Sequence, residues 1–183
     1  IAEEMARVIG YNKIEPNFLS IDTSPIVDEQ KQKEKSIKDF LIQKGFFEVI
    51  NNPFINQKLN NSIKVDNPLD SNRSNLRTHL EDSLIENLLY NERRQKDSIK
   101  LFEISEIYQQ GKNDVEVKKM LGIICSGRLG KNYLEFSKKI DQKYLGTILS
   151  EFNPSIDFSP KNISREKLDT KIKNEIVFIE LDL

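Results

Sequence analysis

A loop, a helix and a strand follow one another over residues 67–108, and this stretch constrains the fold more than any other. It opens with Asn67-Pro68 and further polar residues, and proline disfavours the helical conformation in the residue before it. Apolar residues then recur at spacings of three and four through residues 80–89, which is typical of an amphipathic helix. Residues 99–108 have the β-branched and aromatic content of a strand.

Both ends of this predicted helix carry sequence signals. Thr78 followed by Glu81 is a capping-box pattern, which predicts that the Thr78 side chain caps the helix. At the other end, Arg93, Arg94 and Lys96 suit a helix C-terminus, because cations stabilise its negative dipole. The same cations could contact a phosphate backbone, although basic helix ends are common, and this alternative stays open.

The composition limits the classes of function. A chain of 183 residues suffices for one domain with a core. The net charge of -1 argues against a surface built mainly to hold a polyanion. No apolar stretch approaches the roughly 20 residues that span a bilayer, and no signal-peptide pattern is visible. The single Cys125, inside an apolar run, is predicted to be a small buried hydrophobe, and we expect a cytoplasmic protein without membrane contact.

Further helices and strands are predicted on both sides of the central stretch. Before it, we predict a helix over 1–9 that ends near Gly10, a linker over 11–25, a helix over 26–44, and strands over 46–50 and 63–65. Ser24-Pro25 would be the cap and first position of the helix over 26–44, and Gly45 would end it. After it, we predict a turn at Gly111, a strand over 120–125, a helix around 144–151 and a strand over 176–181. Strands separated by long and partly helical connections indicate an α+β fold with a mainly antiparallel sheet. The apolar stripe of the helix over 26–44 is incomplete, so half of it at most packs on its own domain.

Three blocks of the sequence closely resemble the core domain of the phenylalanyl-tRNA synthetase beta subunit of bacteria. They are NPLDSNRSNLRTHLEDSLIENLLYNERRQ with IKLFEISEIY, the opening IAEEMARVIGYNKI and the closing FIELDL, and they follow the family's order. The resemblance implies a class II aminoacyl-tRNA synthetase-like domain that is a non-catalytic copy of that fold. It also implies that residues 1–16 are the C-terminal end of the preceding beta-subunit domain, and that residues 17–183 are the core, truncated at its C-terminal strand.

The resemblance further implies a role in the ATP-dependent charging of tRNA(Phe) with phenylalanine, in a heterotetramer with the alpha subunit. The alpha subunit would hold ATP, and the helix over 26–44 with its following strand would pack against it. A solvated charged face is the alternative for this helix. Catalytic members of the class place an Arg directly after the strand over 104–108, where this chain has Gln109. The Gly-rich segment with a second Arg has no counterpart after residue 153, where Arg165 is the only arginine, so we expect no catalytic residue here.

A magnesium site is also implied by the resemblance. In the family, an Asp-x-x-Glu-Glu sequence supplies carboxylates to the ion, and the matching residues here are Glu3 and Glu4. We expect magnesium and ATP in the intact enzyme and neither on this chain alone. His79, the only histidine, is expected to have a surface or capping role, and residues 126–130 are expected to form a turn.

Two other classes of function remain as alternatives to a subunit-binding scaffold. A free-standing class II-like ligase would need the phosphate-binding Arg that Gln109 replaces. A nucleic-acid-binding module would need a basic face. Between residues 126 and 178 the chain is shorter than the usual beta core, and residues 133–136 are the nearest match to its aromatic-rich segment.

Overall fold

The computed structural model describes residues 1–18, 28–56, 61–68, 70–111, 114–130, 138–154, 158–166, 168 and 174–183, with Ser71 described by its backbone. The helices in these ranges are α1 (Ala2–Ile9), α2 (Glu29–Gln43), α3 (Glu81–Glu92) and α4 (Gln142–Phe152). The strands are β1 (Phe47–Glu48), β2 (Phe54–Ile55), β3 (Asn75–Leu76), β4 (Ser98–Gln110), β5 (Val115–Gly127), β6 (Lys161–Ile163) and β7 (Ile176–Asp182). Two short 3-10 helices cover Tyr11–Lys13 and Ser71–Arg73.

The main sheet has the strand order β1-β4-β5-β7-β6. The β1–β4 pair is parallel, whereas the β4–β5, β5–β7 and β6–β7 pairs are antiparallel. Strands β2 and β3 form a separate antiparallel pair. The prediction of an α+β fold with a mainly antiparallel sheet is therefore confirmed, and β7 lies inside the sheet as its β-branched composition predicted.

Helices cover both faces of the sheet. On one face, Phe102, Ile123 and Val177 pack against α2 and α4. On the other face, Leu101 and Ile124 pack against the leucines of α3. Cys125 is fully buried in the first of these cores, as predicted, and burial raises the pKa of its thiol to about 12. None of the helices in the described ranges has the length and apolar character needed to cross a membrane.

The predicted capping box of α3 is wrong. The helix begins at Glu81, its N-cap position is Leu80, and no side chain makes the usual cap bond there. Instead the Leu80 N–H donates a hydrogen bond of 2.8 Å to the carboxylate of Glu180, on β7. The Glu180 carboxylate therefore caps α3 in place of the Thr78 side chain. It lies on β7, at the positive end of the helix dipole.

The other boundaries differ from the sequence predictions in several places. Helix α2 begins at Glu29 with the Asp28 carboxylate as its cap, whereas Ser24 and Pro25 lie outside the described residues. The hydrogen bond from the Lys31 N–H to that carboxylate lowers the pKa of Asp28. The predicted strand over 46–50 is only the two-residue β1, the predicted strand over 63–65 is a single bridge between Lys64 and Asn75, and residues 133–136 lie outside the described residues.

Candidate functional site

The face of the sheet under α3 is filled by leucine side chains. Leu80, Leu84 and Leu88 are fully buried there, as the spacing of apolar residues predicted. Gly122 on β5 lies directly beneath them, and a Cβ atom at this position would be 2.7 Å from Leu84 Cδ1 and 3.1 Å from Leu80 Cβ. Because the helix lies this close to the sheet, a substrate has no room between α3 and β5 at Gly122.

Gln109 lies inside β4 rather than directly after it, because the strand continues to Gln110. It pairs with Glu116 on β5 near the tip of the long hairpin. A neutral amide at this position cannot supply the positive charge that a phosphate-binding arginine would bring. The neighbouring Tyr108 hydroxyl donates a hydrogen bond of 2.9 Å to Glu106, and this bond raises the pKa of Tyr108.

Arg165 has a structural environment. Its guanidinium donates two hydrogen bonds to the carboxylate of Glu92 on α3, at 3.0 and 2.7 Å. It also donates to the Ser126 hydroxyl at 3.0 Å and to the Asn174 carbonyl oxygen. With its donors used in this way, Arg165 ties α3 to the end of β5 and to the segment before β7. Arg165 therefore has a structural role in joining these elements, and its geometry is not that of an anion-binding site.

Sequence reasoning missed a buried charged network around Arg77 and Glu103. Both side chains are 1% exposed, and Arg77 Nη1 lies 2.9 Å from Glu103 Oε1. Arg77 also donates to the Ser105 hydroxyl at 2.5 Å and to the Glu106 carbonyl oxygen at 3.1 Å. The available signal was Glu103 between Phe102 and Ile104, since a charge inside an apolar strand needs a buried partner. The sequence did not show that the partner would be Arg77.

The same network holds the segment that follows β1. Glu103 accepts hydrogen bonds from the Asn51 side-chain amide at 2.7 Å and from the Asn51 backbone N–H at 3.3 Å. The Arg77 backbone N–H donates to the Pro53 carbonyl oxygen at 2.9 Å, and the Asn87 side chain donates to the Asn51 side-chain oxygen at 2.6 Å. Residues 49–53 are therefore fixed from several sides, although β1 itself has only two residues.

Large apolar side chains are exposed along α2 and β1. Ile42 is 53% exposed, Phe47 is 72% exposed and Ile50 is 91% exposed. We call residues 42–50 the β1 edge, because β1 is an outer strand of the sheet and, among the described residues, one row of its backbone groups has no strand partner. A salt bridge of 2.6 Å between Lys38 and Glu48 joins α2 to β1 and fixes their relative position.

An apolar groove lies between α2 and α4, over the β5 and β7 residues Leu121 and Leu181. It has a volume of about 270 Å³, and its lining includes Phe40, Leu149, Phe152 and Phe158. The rings of Phe40 and Phe152 are 5.1 Å apart. Helix α2 thus packs only partly on its own domain, as its incomplete apolar stripe predicted, with Ile37 and Leu41 as its buried residues.

The residues proposed to bind magnesium lie on α1. Glu3 is exposed and pairs with Arg7 at 3.3 Å, and Glu4 is also exposed. Within the described ranges no three His, Cys, Asp or Glu side chains converge into a metal site, so these residues alone do not complete one. The His79 imidazole lies partly buried next to the start of α3, with its Nε2 3.6 Å from the Asp82 carboxylate. The segment predicted to turn at 126–130 contains the end of β5, with Gly127 at a φ of 98°.

Comparison with known proteins identifies the family. The family model for the phenylalanyl-tRNA synthetase beta chain CLM domain matches residues 14–182, which is nearly the whole chain. The chain belongs to this family. The resemblance that the sequence blocks indicated is therefore confirmed, and the domain is a phenylalanyl-tRNA synthetase beta chain CLM domain.

Curated relatives of this CLM domain agree with the family model. The phenylalanine–tRNA ligase beta subunit of Clostridium acetobutylicum is 33% identical over 146 residues, which cover 71% of this chain and 18% of that protein. The beta subunit of Carboxydothermus hydrogenoformans is 29% identical over 182 residues, covering 91% of this chain and 23% of that protein. The chain thus spans about a fifth of the length of these relatives.

A solved structure shows the fold class of the CLM domain. The pyrrolysyl tRNA synthetase from Desulfitobacterium hafniense superposes with a TM-score of 0.60, at 16% identity, over 87% of this chain and 66% of that chain. At this identity the likeness concerns the fold alone. The predicted class II synthetase-like architecture is confirmed at this level.

Proposed function

We propose that this chain is the non-catalytic core of a phenylalanine–tRNA ligase beta subunit, which supports the alpha subunit in the ATP-dependent charging of tRNA(Phe). Its work in this proposal is to bind and position the alpha subunit in the cytoplasm. The exposed apolar side chains of the β1 edge are the single observation that carries the proposal. The same proposal assigns residues 1–16 to the end of a preceding domain. It also assigns Glu3 and Glu4 to a magnesium site in the intact enzyme.

The absence of catalysis in this proposal is supported by two features. Leu80 and Leu84 leave no room above Gly122, so the face under α3 is part of the core. Gln109 provides no positive charge for a transferring phosphate. ATP and phenylalanine would accordingly bind to the alpha subunit and not to this chain.

The β1 edge is suited to a partner because apolar area and backbone groups are exposed together. Burying the Phe47 and Ile50 side chains would remove apolar area from water, at about 25 cal/mol per Å². The Glu103 contacts to Asn51 hold this segment in place before a partner arrives, which lowers the entropy cost of binding. The partner would therefore meet a surface that is already formed.

Size-exclusion chromatography with light scattering tests this proposal. The chain, mixed with the alpha subunit from the same source, is expected to elute as a defined complex. Ile50→Asp is expected to weaken this complex at least about tenfold, because a carboxylate would be desolvated at the interface. Val117→Asp on β5 is the matched control, since Val117 is 51% exposed on the same sheet but lies away from the β1 edge.

The outcomes separate clearly. Loss of the complex in Ile50→Asp with retention in Val117→Asp supports the β1 edge as the contact. Equal complex formation by both variants would contradict that location. Separate elution of the folded, unsubstituted chain and the alpha subunit would contradict the scaffold function itself.

A further inference from the structure

Cationic side chains gather at the end of the sheet where β4 begins and β5 ends. Arg93, Arg94 and Lys96 follow α3, whereas Lys138 and Lys139 lie before α4, and all five are exposed. We call these five residues the basic end. The chain as a whole has a net charge of -1, so the basic end is a local concentration of charge and does not reflect the composition.

Backbone contacts bring the two halves of the basic end together. The Arg128 N–H donates a hydrogen bond of 2.7 Å to the Asp97 carbonyl oxygen. Arg128 also forms an isolated antiparallel bridge with Lys139. The chain passes this point through Gly127 with a φ of 98°, and a Cβ there would overlap the Asp97 carbonyl oxygen. The residues after α3 and those before α4 are therefore held side by side, although they are far apart in sequence.

The charge of the basic end is largely uncompensated. Among the described residues, no carboxylate lies within the 4.0 Å of an ion pair from Arg93, Lys96, Lys138 or Lys139. Carboxylates close by in sequence include those of Asp97, which is exposed next to Lys96, and of Asp141, which accepts a hydrogen bond of 2.8 Å from the Tyr144 N–H as the cap of α4. Exposed cations without carboxylate partners attract a polyanion most effectively, because no internal pair has to be broken first.

An aromatic side chain adjoins the basic end. The Arg94 guanidinium carbon lies 3.3 Å from the centre of the Tyr90 ring, and Arg94 Nη1 donates to the Tyr90 carbonyl oxygen at 3.0 Å. Tyr90 is 54% exposed. The stack holds the Arg94 fork in one orientation, and planar guanidinium groups bind phosphate oxygens in pairs.

We propose that the basic end binds the phosphate backbone of RNA. Arginine and lysine beside an exposed aromatic ring favour RNA over an acidic peptide, because the bases of RNA also offer stacking partners. The contact positions the RNA and reads no sequence, since the cations meet phosphates rather than base edges. The identification of this RNA as a tRNA in the assembled ligase rests on the proposed function. The binding of RNA by the chain is independent of the proposed function.

Fluorescence anisotropy with a labelled tRNA transcript, over a series of salt concentrations, tests this inference on the chain alone. The variant R93Q/K96Q/K138Q/K139Q is expected to bind at least about tenfold more weakly at low salt. The slope of log K against log salt is expected to become less negative by about three to four, at about 0.9 for each phosphate that is no longer neutralised. The control K13Q/K35Q/K64Q/K118Q removes the same charge from exposed lysines elsewhere.

Three results would overturn the proposal. The two variants could bind with equally reduced affinity, which would show an effect of net charge alone. The basic-end variant could bind tRNA as the unsubstituted chain does. Polyglutamate at equal charge concentration could displace the tRNA completely, which would assign the surface to acidic proteins. Far-UV circular dichroism checks that both variants are folded, and their unchanged co-elution with the alpha subunit separates this inference from the proposed function.

Discussion

Arg77 and Glu103 form a charged pair inside the protein, where removing two charges from water is costly. The pair persists because its hydrogen-bonding groups find partners. Arg77 donates to a carboxylate, a hydroxyl and a carbonyl oxygen, and both Glu103 oxygens accept hydrogen bonds. The network thereby connects the loop before α3, strand β4 and the segment after β1. Removing either charge would leave the other buried without its partner, which is strongly destabilising.

Replacing Arg77 by methionine is expected to lower the free energy of unfolding by about 3–5 kcal/mol, since it leaves Glu103 buried without its cation. Urea denaturation followed by circular dichroism measures this change. Arg7→Met is the matched control, because Arg7 forms an exposed pair with Glu3, and exposed pairs of this kind contribute about 0–1 kcal/mol. Equal effects of the two substitutions would show that the buried network adds no stability.

Gly122 sets the distance between α3 and the sheet. Gly122→Ala is expected to destabilise the fold by about 1–3 kcal/mol, because the new methyl group would overlap Leu84 and Leu80. Gly146→Ala is the comparison: its Cβ meets no atom within 4 Å, and alanine favours the helical conformation of α4 by about 1 kcal/mol. Thermal unfolding of both variants should therefore shift the midpoint in opposite directions. A shift in the same direction would contradict close packing at Gly122.

At the scale of elements, β7 both fills the sheet and supports the start of α3. Glu180 reaches the Leu80 N–H from β7, in place of a local cap. Burial raises the pKa of Glu180, while the hydrogen bond from Leu80 opposes this shift. The helix and the strand thus depend on each other although 100 residues separate these two partners in the sequence.

Substitution of Glu180 separates the hydrogen bond from the charge. Glu180→Gln keeps an oxygen that accepts from the Leu80 N–H, whereas Glu180→Ala removes it and should be less stable than Glu180→Gln by about 1 kcal/mol. Because the pKa of Glu180 is raised in the folded state, the unsubstituted chain should lose stability relative to Glu180→Gln as the pH rises through that pKa. Urea denaturation at about pH 4, just below the ordinary glutamate pKa of about 4.3, and at about pH 7, well above it, measures both differences. A difference that does not change with pH would contradict the raised pKa.

An element could be predicted from the sequence when the interactions that form it are between residues close together in the chain. The apolar spacing of α3 and the composition of β4 and β7 are local, and all three were predicted. The cap at Glu180, the short strands β2 and β3, and the strand β6 depend on contacts between distant residues, so no local pattern indicated them. The Arg77 network was missed for the same reason, since an arginine in a polar loop looks like a surface residue until β4 is placed beside it.

In the described part of the molecule both faces of the main sheet are covered, and its outer strands are β1 and β6. Helices α2 and α4 cover one face of the sheet and α3 covers the other, while the β1 edge keeps apolar side chains in water. This distribution favours binding by the edge and leaves no large space beneath α3 in the described residues. The family membership and this distribution support the same proposed role.

Restoring the missing arginine should not restore chemistry. In the exchange of radiolabelled pyrophosphate into ATP with phenylalanine, we expect no activity above background for the chain or for Gln109→Arg. The reason is that one cation does not create room for substrates beneath α3. The assembled complex with the alpha subunit provides the positive control. Exchange by the Gln109→Arg variant alone would show that the chain retains a usable catalytic face.

The long β4–β5 hairpin also sets an order of events during folding. Its two strands of 13 residues are close in sequence, so they can pair after a short loop closes. Strand β1 instead reaches β4 across a long stretch of chain and pairs through two positions, Phe47 with Leu101 and Glu48 with Phe102. We therefore expect β1 to join the nucleus late and to exchange its amide hydrogens faster than the paired central strands β4 and β5. A newly made chain would in this way form its hairpin and helices before the surface that is proposed to contact the alpha subunit.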